Sequence, residues 1–211
     1  MADVRSLAEV RATREPGKRM RSRLLDAAVE LFKAKGLAGV AVAEIATAAG
    51  AYPSQVTYYF RTKEALFVEA ACREVLYVAR QAEAAAARAR SGSDYNRRLV
   101  ETVLGSPGLA LFVEALSLTR RRQDLAPLIE RTFERLHAEG DRAYAETRHR
   151  RGWSEAEDAA TVARRFWTLA LGVALREGAT EATLAEAVDE MAALLRHGQA
   201  ATRPARSPGD A

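Results

Sequence analysis

The sequence predicts an all-α protein, and three observations carry that prediction. Apolar residues recur at helical spacing along most of the 211 residues, while the period-2 alternation of half-buried strands is nearly absent. Glycine, proline and capping residues punctuate the stripes where helices would start and stop. The composition, 48% hydrophobic and 28% charged, supplies a packed interior and excludes intrinsic disorder. No apolar run approaches the roughly 20 residues needed to cross a bilayer, so no membrane association is expected. Asp3 and Glu9, with no apolar h-region, argue against a signal peptide, and the lone Cys72 excludes a disulfide scaffold or CxxC pair. A cytoplasmic location follows as the expectation.

The elements run in order. Residues 1–16 are polar and end at Pro16-Gly17, which reads as a break after a disordered basic arm. From Lys18 to Lys35 the stripe Met20, Leu24, Ala27, Ala28, Leu31, Phe32 predicts a helix that Gly36 terminates through its left-handed freedom. Val42 to Ala49 repeats the pattern before Gly50, and Pro53 opens a third short helix to about Phe60. Thr62 is an N-cap with Glu64 in the first turn, and the helix it starts meets no breaker until Ser91. At ~1.5 Å per residue that helix is about 40 Å long, enough to connect two domains. Its alanine-rich part, Ala82 to Ala89, reads as less buried. Further helices are expected from Asp94 to Leu104, from Ser106-Pro107 to the Arg120–Arg122 run, and from Asp124 or Leu125 to Gly152. Ser154 with Glu157 and Thr183 with Glu186 form two capping boxes that launch the last two helices. The second stripe is Leu184, Val188, Met191, Leu195, and residues 198–211, with Pro204 and Pro208, read as a disordered tail. The total is about nine helices, divided as a helical domain over 17–62 and a larger one over 63–197.

Charge is unevenly placed. Residues 1–63 hold 11 Lys/Arg against 6 Asp/Glu, a net of +5, whereas residues 64–211 hold 21 against 22. That pattern is either a basic tail or an electrostatic footprint for a polyanion. The small helices before and after Gly50-Ala51-Tyr52 match a helix-turn-helix, whose third helix needs only one exposed face to enter a major groove about 12 Å wide. Ser54, Gln55, Thr57 and Tyr58 are the polar candidates on that face, mixing side chains that reach base edges with ones that reach phosphates.

The run Arg23-Leu24-Leu25-Asp26-Ala27-Ala28-Val29-Glu30-Leu31-Phe32, with Lys35-Gly36, Glu44-Ile45-Ala46 and Ala49-Gly50, resembles the tetracycline-repressor (TetR) family of regulators. The continuation from Val56 through Tyr58-Tyr59-Phe60 to Lys63-Glu64-Ala65-Leu66 is similar to the same family's recognition-helix exit. The resemblance covers about residues 18–70. It implies a repressor that binds double-stranded DNA at a palindromic operator as a homodimer and leaves it on binding a small-molecule effector. It also implies that Tyr58 touches DNA, that Lys63 meets a phosphate, and that Tyr59 and Phe60 pack the small domain. Where the family has hydroxyl residues entering the second helix, this chain has Val40 and Ala41, and Tyr52-Pro53 replaces the usual serine cap. The departure points to an unusual operator or to Tyr52 contacting the DNA backbone itself. The candidate DNA-binding set is therefore Tyr52, Pro53, Ser54, Gln55, Thr57, Tyr58 and Lys63.

An effector of this kind needs a largely apolar pocket with a few orienting polar groups. Tyr95, Phe112, Phe133, Tyr144, Phe166 and Trp167 supply aromatic walls, and His137, Thr168 or Tyr144 the polar groups. With no glycine-rich anion cradle, the expected ligand is apolar or aromatic. Leu184, Val188, Met191 and Leu195 are the candidate dimer interface. No cofactor or metal is expected: His137, His149 and His197 lack partners at ligand spacing, and no GxSxG turn is present. Two other readings stay open. One is an all-helical enzyme or carrier that keeps the helix-turn-helix as scaffold; the other is a regulator governed by a protein partner or by no effector.

Overall fold

The computed structural model describes residues 3–153, 157–177 and 179–200. Among them are nine α-helices and no strand: α1 Asp3–Lys35, α2 Val42–Ala48, α3 Pro53–Phe60, α4 Lys63–Ala86, α5 Gly92–Leu104, α6 Pro107–Thr119, α7 Ala126–Arg151, α8 Ala159–Glu177 and α9 Leu184–Ala200. A 3-10 turn, Gln123–Leu125, precedes α7. No single helix among these residues is long and apolar enough to cross a membrane.

Local chemistry sets most of the boundaries. Thr62 Oγ1 accepts from the Ala65 N–H at 3.1 Å, Ser91 Oγ from Asp94 at 3.2 Å, and Ser106 Oγ from Gly108 at 3.2 Å, so each cap satisfies a donor the helix itself leaves open. Thr183 and Glu186 form the expected reciprocal box: the Thr183 N–H donates to Glu186 Oε2 at 2.8 Å and the Glu186 N–H to Thr183 Oγ1 at 3.3 Å. Gly50, at φ +61°, makes the turn between α2 and α3, a conformation that would strain a side chain.

Four expectations about the elements need correction. Residues 3–16 are not a disordered arm: α1 continues from Asp3 through Pro16, so the proposed boundary at 16/17 falls inside a helix. Alanine, arginine, glutamate and leucine dominate that segment and favour helix, and Pro16 removes one backbone bond without ending it. The alanine-rich stretch is not uniformly less buried, since Ala84 and Ala87 are exposed while Ala82 and Ala86 in α4 and Ala89 just after it are buried. Their small side chains let α4 approach its neighbours closely. The first capping box does not start α8, which begins at Ala159 with Asp158 accepting from the Thr161 N–H at 3.1 Å. Ser154, Glu155 and Ala156 lie outside the described residues, and Glu157 instead pairs with Arg165 at 2.8 Å. Finally, α9 extends to Ala200, past the expected end at 197, while residues 201–211 lie outside the described ones.

Helix α4 organises the molecule. It packs on α1 and α3 at one end and on α5, α6 and α7 along the rest. One continuous apolar core runs from Leu24 in α1 through Phe67 and Val75 in α4 to Leu195 in α9. Ion pairs tie α1 to α4 outside that core: Arg21–Glu69 at 2.6 Å, Lys33–Glu74 at 3.3 Å, and Arg73–Asp26. Helix α6 crosses α4 at Gly108, where a Cβ would stand 2.7 Å from Glu74 Cγ and 2.9 Å from Val78 Cγ2.

Candidate functional site

Helix α3 is held from behind. Val56 and Phe60 are buried, Phe60 lies under the Arg21 guanidinium at 4.8 Å, and Tyr59 packs edge-on against Tyr58 at 5.0 Å. What remains outward is Pro53, Ser54, Thr57 and Tyr58, with Tyr52 just before the helix. Tyr52 and Tyr58 are 77% and 79% exposed, the two most exposed large apolar side chains described. A short helix with a fixed back and a polar, tyrosine-bearing front has the dimensions to enter a major groove.

Two members of the set already have intramolecular work. Gln55 Oε1 accepts from the Tyr52 N–H at 3.0 Å, so the glutamine closes the helix start that Tyr52, lacking a short hydroxyl, leaves open. Lys63 Nζ donates to the carbonyls of Leu37 at 2.9 Å and Val40 at 3.0 Å, pinning the connection between α1 and α2 to the start of α4. One of its three N–H donors remains for a phosphate. Val40 is buried in the core, and Ala41 is the uncapped start of α2, its side chain accepting nothing. No hydroxyl therefore stands at either position to meet DNA.

The larger domain holds a partly open cavity of about 50 Å³ between α4, α5, α7, α8 and α9. Of the expected pocket residues, Tyr95, Tyr144, Phe166 and Trp167 line it. Phe112, Phe133 and His137 do not: they stack on one another between α6 and α7, with ring centroids 5.6 and 5.8 Å apart. Helical periodicity marked them as inward-facing, but inward there means core. Thr168 is exposed on α8 and bonds the Arg164 carbonyl. His137 is half-buried, and burial together with Arg164 lowers its pKa, favouring the neutral ring.

Of the cavity's polar members, sequence reasoning singled out Tyr144 and Tyr95 but missed Asn96 and Glu83. Asn96 is buried, Glu83 half-buried, and the Tyr144 hydroxyl is fully enclosed with no hydrogen-bond partner. Burial, and secondarily Glu83, pushes the Tyr95 hydroxyl up to about 12, so it stays protonated. Burial and the Glu139 carboxylate raise Glu83 above the usual carboxylate range, against the opposing pull of Arg142 and Arg80. The open space comes from small residues, Ala79, Ala82, Gly140, Ala143 and Ala163. Sequence reasoning named the four aromatic walls but assigned none of the small residues to the space.

The expected interface stripe also turns inward. Val188, Met191 and Leu195 are 3%, 0% and 2% exposed within the single subunit, and Leu195 is part of the cavity wall. Only Leu184 is outward. They face the subunit's own core because α9 lies across α5 and α8 and spends its most apolar face there. The apolar residues left outward on this pair of helices are Leu175 and Leu194, 62% and 43% exposed, beside Leu184.

Two family models match the chain: "Bacterial regulatory proteins, tetR family" over residues 24–70, and "Bacterial transcriptional repressor C-terminal" over residues 92–196. A structure of a protein assigned as a transcriptional regulator from Rhodococcus sp. RHA1 is 40% identical, covering 83% of this chain and 94% of that one, with a TM-score of 0.72. A protein assigned to the TetR family from Mesorhizobium loti MAFF303099 is 22% identical over 88% of this chain and 97% of that one, with a TM-score of 0.66. The multidrug binding protein EbrR, complexed with ethidium, is 23% identical over 84% of this chain and 96% of that one, with a TM-score of 0.59. The last two likenesses are of fold alone. No curated protein matches the chain.

Proposed function

Because the chain belongs to the TetR family of bacterial transcriptional regulators, we propose that it represses transcription as a homodimer on a palindromic operator and is released by a small ligand. The observation that carries the reading is the front of α3. Ser54, Thr57 and Tyr58 stand exposed on a helix whose back is locked into the core, with Tyr52 just before it, so hydroxyls and two large outward rings share one unpartnered front. One such helix reads few bases, so two-fold pairing gives the needed specificity. Leu175 and Leu194 are the interface candidates that replace the buried stripe. They lie on the two helices that the Arg176–Glu190 pair, at 2.7 Å, holds together.

Release follows from the course of α4. Its first turn is anchored by Lys63 and Thr62 at the foot of α3, and its later turns, through Ala79, Ala82 and Glu83, wall the cavity. The intervening ~20 residues span about 30 Å. At about 50 Å³ the cavity is far smaller than the roughly 300–1,000 Å³ of ordinary ligand pockets. A ligand of modest size therefore enters by parting α4, α7 and α8, and α4 transmits that displacement to the helix-turn-helix. Linkage requires the operator to weaken ligand binding by the same factor as the ligand weakens operator binding.

The test is fluorescence anisotropy on the DNA upstream of the chain's own gene. The expected result is tight binding to one inverted repeat, weakening linearly in log salt, with Tyr58→Ala losing at least tenfold, about 1.4 kcal/mol. Equal affinity for the repeat and for scrambled DNA would overturn the reading.

A further inference from the structure

We infer that the ligand of the partly open cavity is a protonated primary or secondary amine on an apolar or aromatic body, with Glu83 as its counter-ion. This rests on the ligand-release reading above and specifies the chemistry of that site. Three polar side chains line the cavity, Glu83, Asn96 and Tyr144, and the Tyr144 hydroxyl is buried there with no hydrogen-bond partner among the described residues. Buried polar groups are almost always satisfied, so this unpartnered hydroxyl on the wall of a void points to a missing partner. The capacity of the three together is weighted toward accepting. Carboxylate, amide oxygen and phenol oxygen all accept, and the carboxylate accepts only. The complement is a group with several N–H donors, which an ammonium supplies and a carboxylate or ether does not.

Charge points the same way. Glu83 pairs with no cation within salt-bridge distance, and burial and Glu139 both disfavour its ionised form. A bound ammonium would relieve that directly. The other walls are aliphatic apart from the rings of Tyr95, Phe166 and Trp167, so the lining accommodates an apolar body and includes groups of the kind that attract a cation over their faces. A primary or secondary amine fits better than a quaternary one, because only the former donates to Asn96 and Tyr144.

Three isosteric probes separate the possibilities: 4-phenylbutylamine, 4-phenylbutanol and 4-phenylbutyrate, titrated calorimetrically into the full chain and then into the chain on its operator. The amine should bind roughly tenfold or more tightly than the alcohol, the margin of a charge-assisted over a neutral hydrogen bond. It should also release the operator. In Glu83→Gln the amine's margin should collapse to within about threefold, and in Tyr144→Phe it should narrow with folding intact. Because the comparison is between probes on one protein, the wild-type ranking stands even where a variant folds poorly. Alcohol or carboxylate binding as tightly as amine would overturn the assignment while leaving ligand release standing. Silence from all three would overturn it too, and the release reading falls only if a broad apolar library also leaves the operator bound.

Discussion

Lys63 joins the DNA face to the fold at a single atom. Its ammonium holds the Leu37 and Val40 carbonyls, and hydrogen bonds to a charged group are each worth about 1.5–3 kcal/mol. Lys63 is partly exposed and solvent screens both bonds, so Lys63→Met should lower unfolding stability by about 1–3 kcal/mol in urea titration, before any DNA is added. If its third donor also meets a phosphate, the slope of log affinity against log salt should fall by about one unit. Lost stability with an unchanged slope would leave the lysine a purely structural role. The phosphate contact was suggested by resemblance, but the two carbonyls were out of reach of the sequence, because they lie 26 and 23 residues away and no pattern couples them. Gln55 teaches the same thing nearer by. Its type suits adenine, yet its position three residues after Tyr52 also suits a capping box, and only the geometry shows the second use. Cys72 is simpler: burial pushes its thiol up to about 11, which keeps it protonated at neutral pH.

Among the helices, most caps were legible and partners were not. Thr62, Ser106 and Thr183 cap as their hydroxyls predict, because a cap is settled within three residues. Ser91, read as a breaker, instead caps α5, and the box at Ser154 does not start α8. An amphipathic stripe, by contrast, says that one face is covered without saying by what. On α9 the coverer is the subunit's own α5 and α8, which turns the consequence of a substitution around. Val188→Arg would place an unpaired charge in the core, so the large domain should lose helicity and melt far earlier, with no stable monomer as product. Leu175→Arg combined with Leu194→Arg should instead leave circular dichroism and melting of the subunit intact and yield monomers in sedimentation. A double variant that stays dimeric would move the interface off α8 and α9.

For the molecule as a whole, the sequence distinguishes two domains by motif and charge, but the core does not respect the division. Apolar contact is continuous from Leu24 to Leu195, and α4 belongs to both parts. Urea should accordingly unfold them together, with far-ultraviolet dichroism and tryptophan emission giving coincident midpoints. Two separated transitions would mean that the junction is weaker than its packing. Four aromatic walls of the cavity were expected, but its place between these helices was not, since an empty space is made by what residues lack, and alanine and glycine carry little pattern. Its walls have one more consequence. The only two tryptophans are Trp167, on the cavity, and Trp153, edge-on to the cavity's Tyr95 at 5.9 Å, while α3 and the residue before it carry none. Excitation at the red edge, where tyrosine does not absorb, therefore reports on the cavity's surroundings alone, so an unlabelled sample carries its own optical probe of whatever enters there.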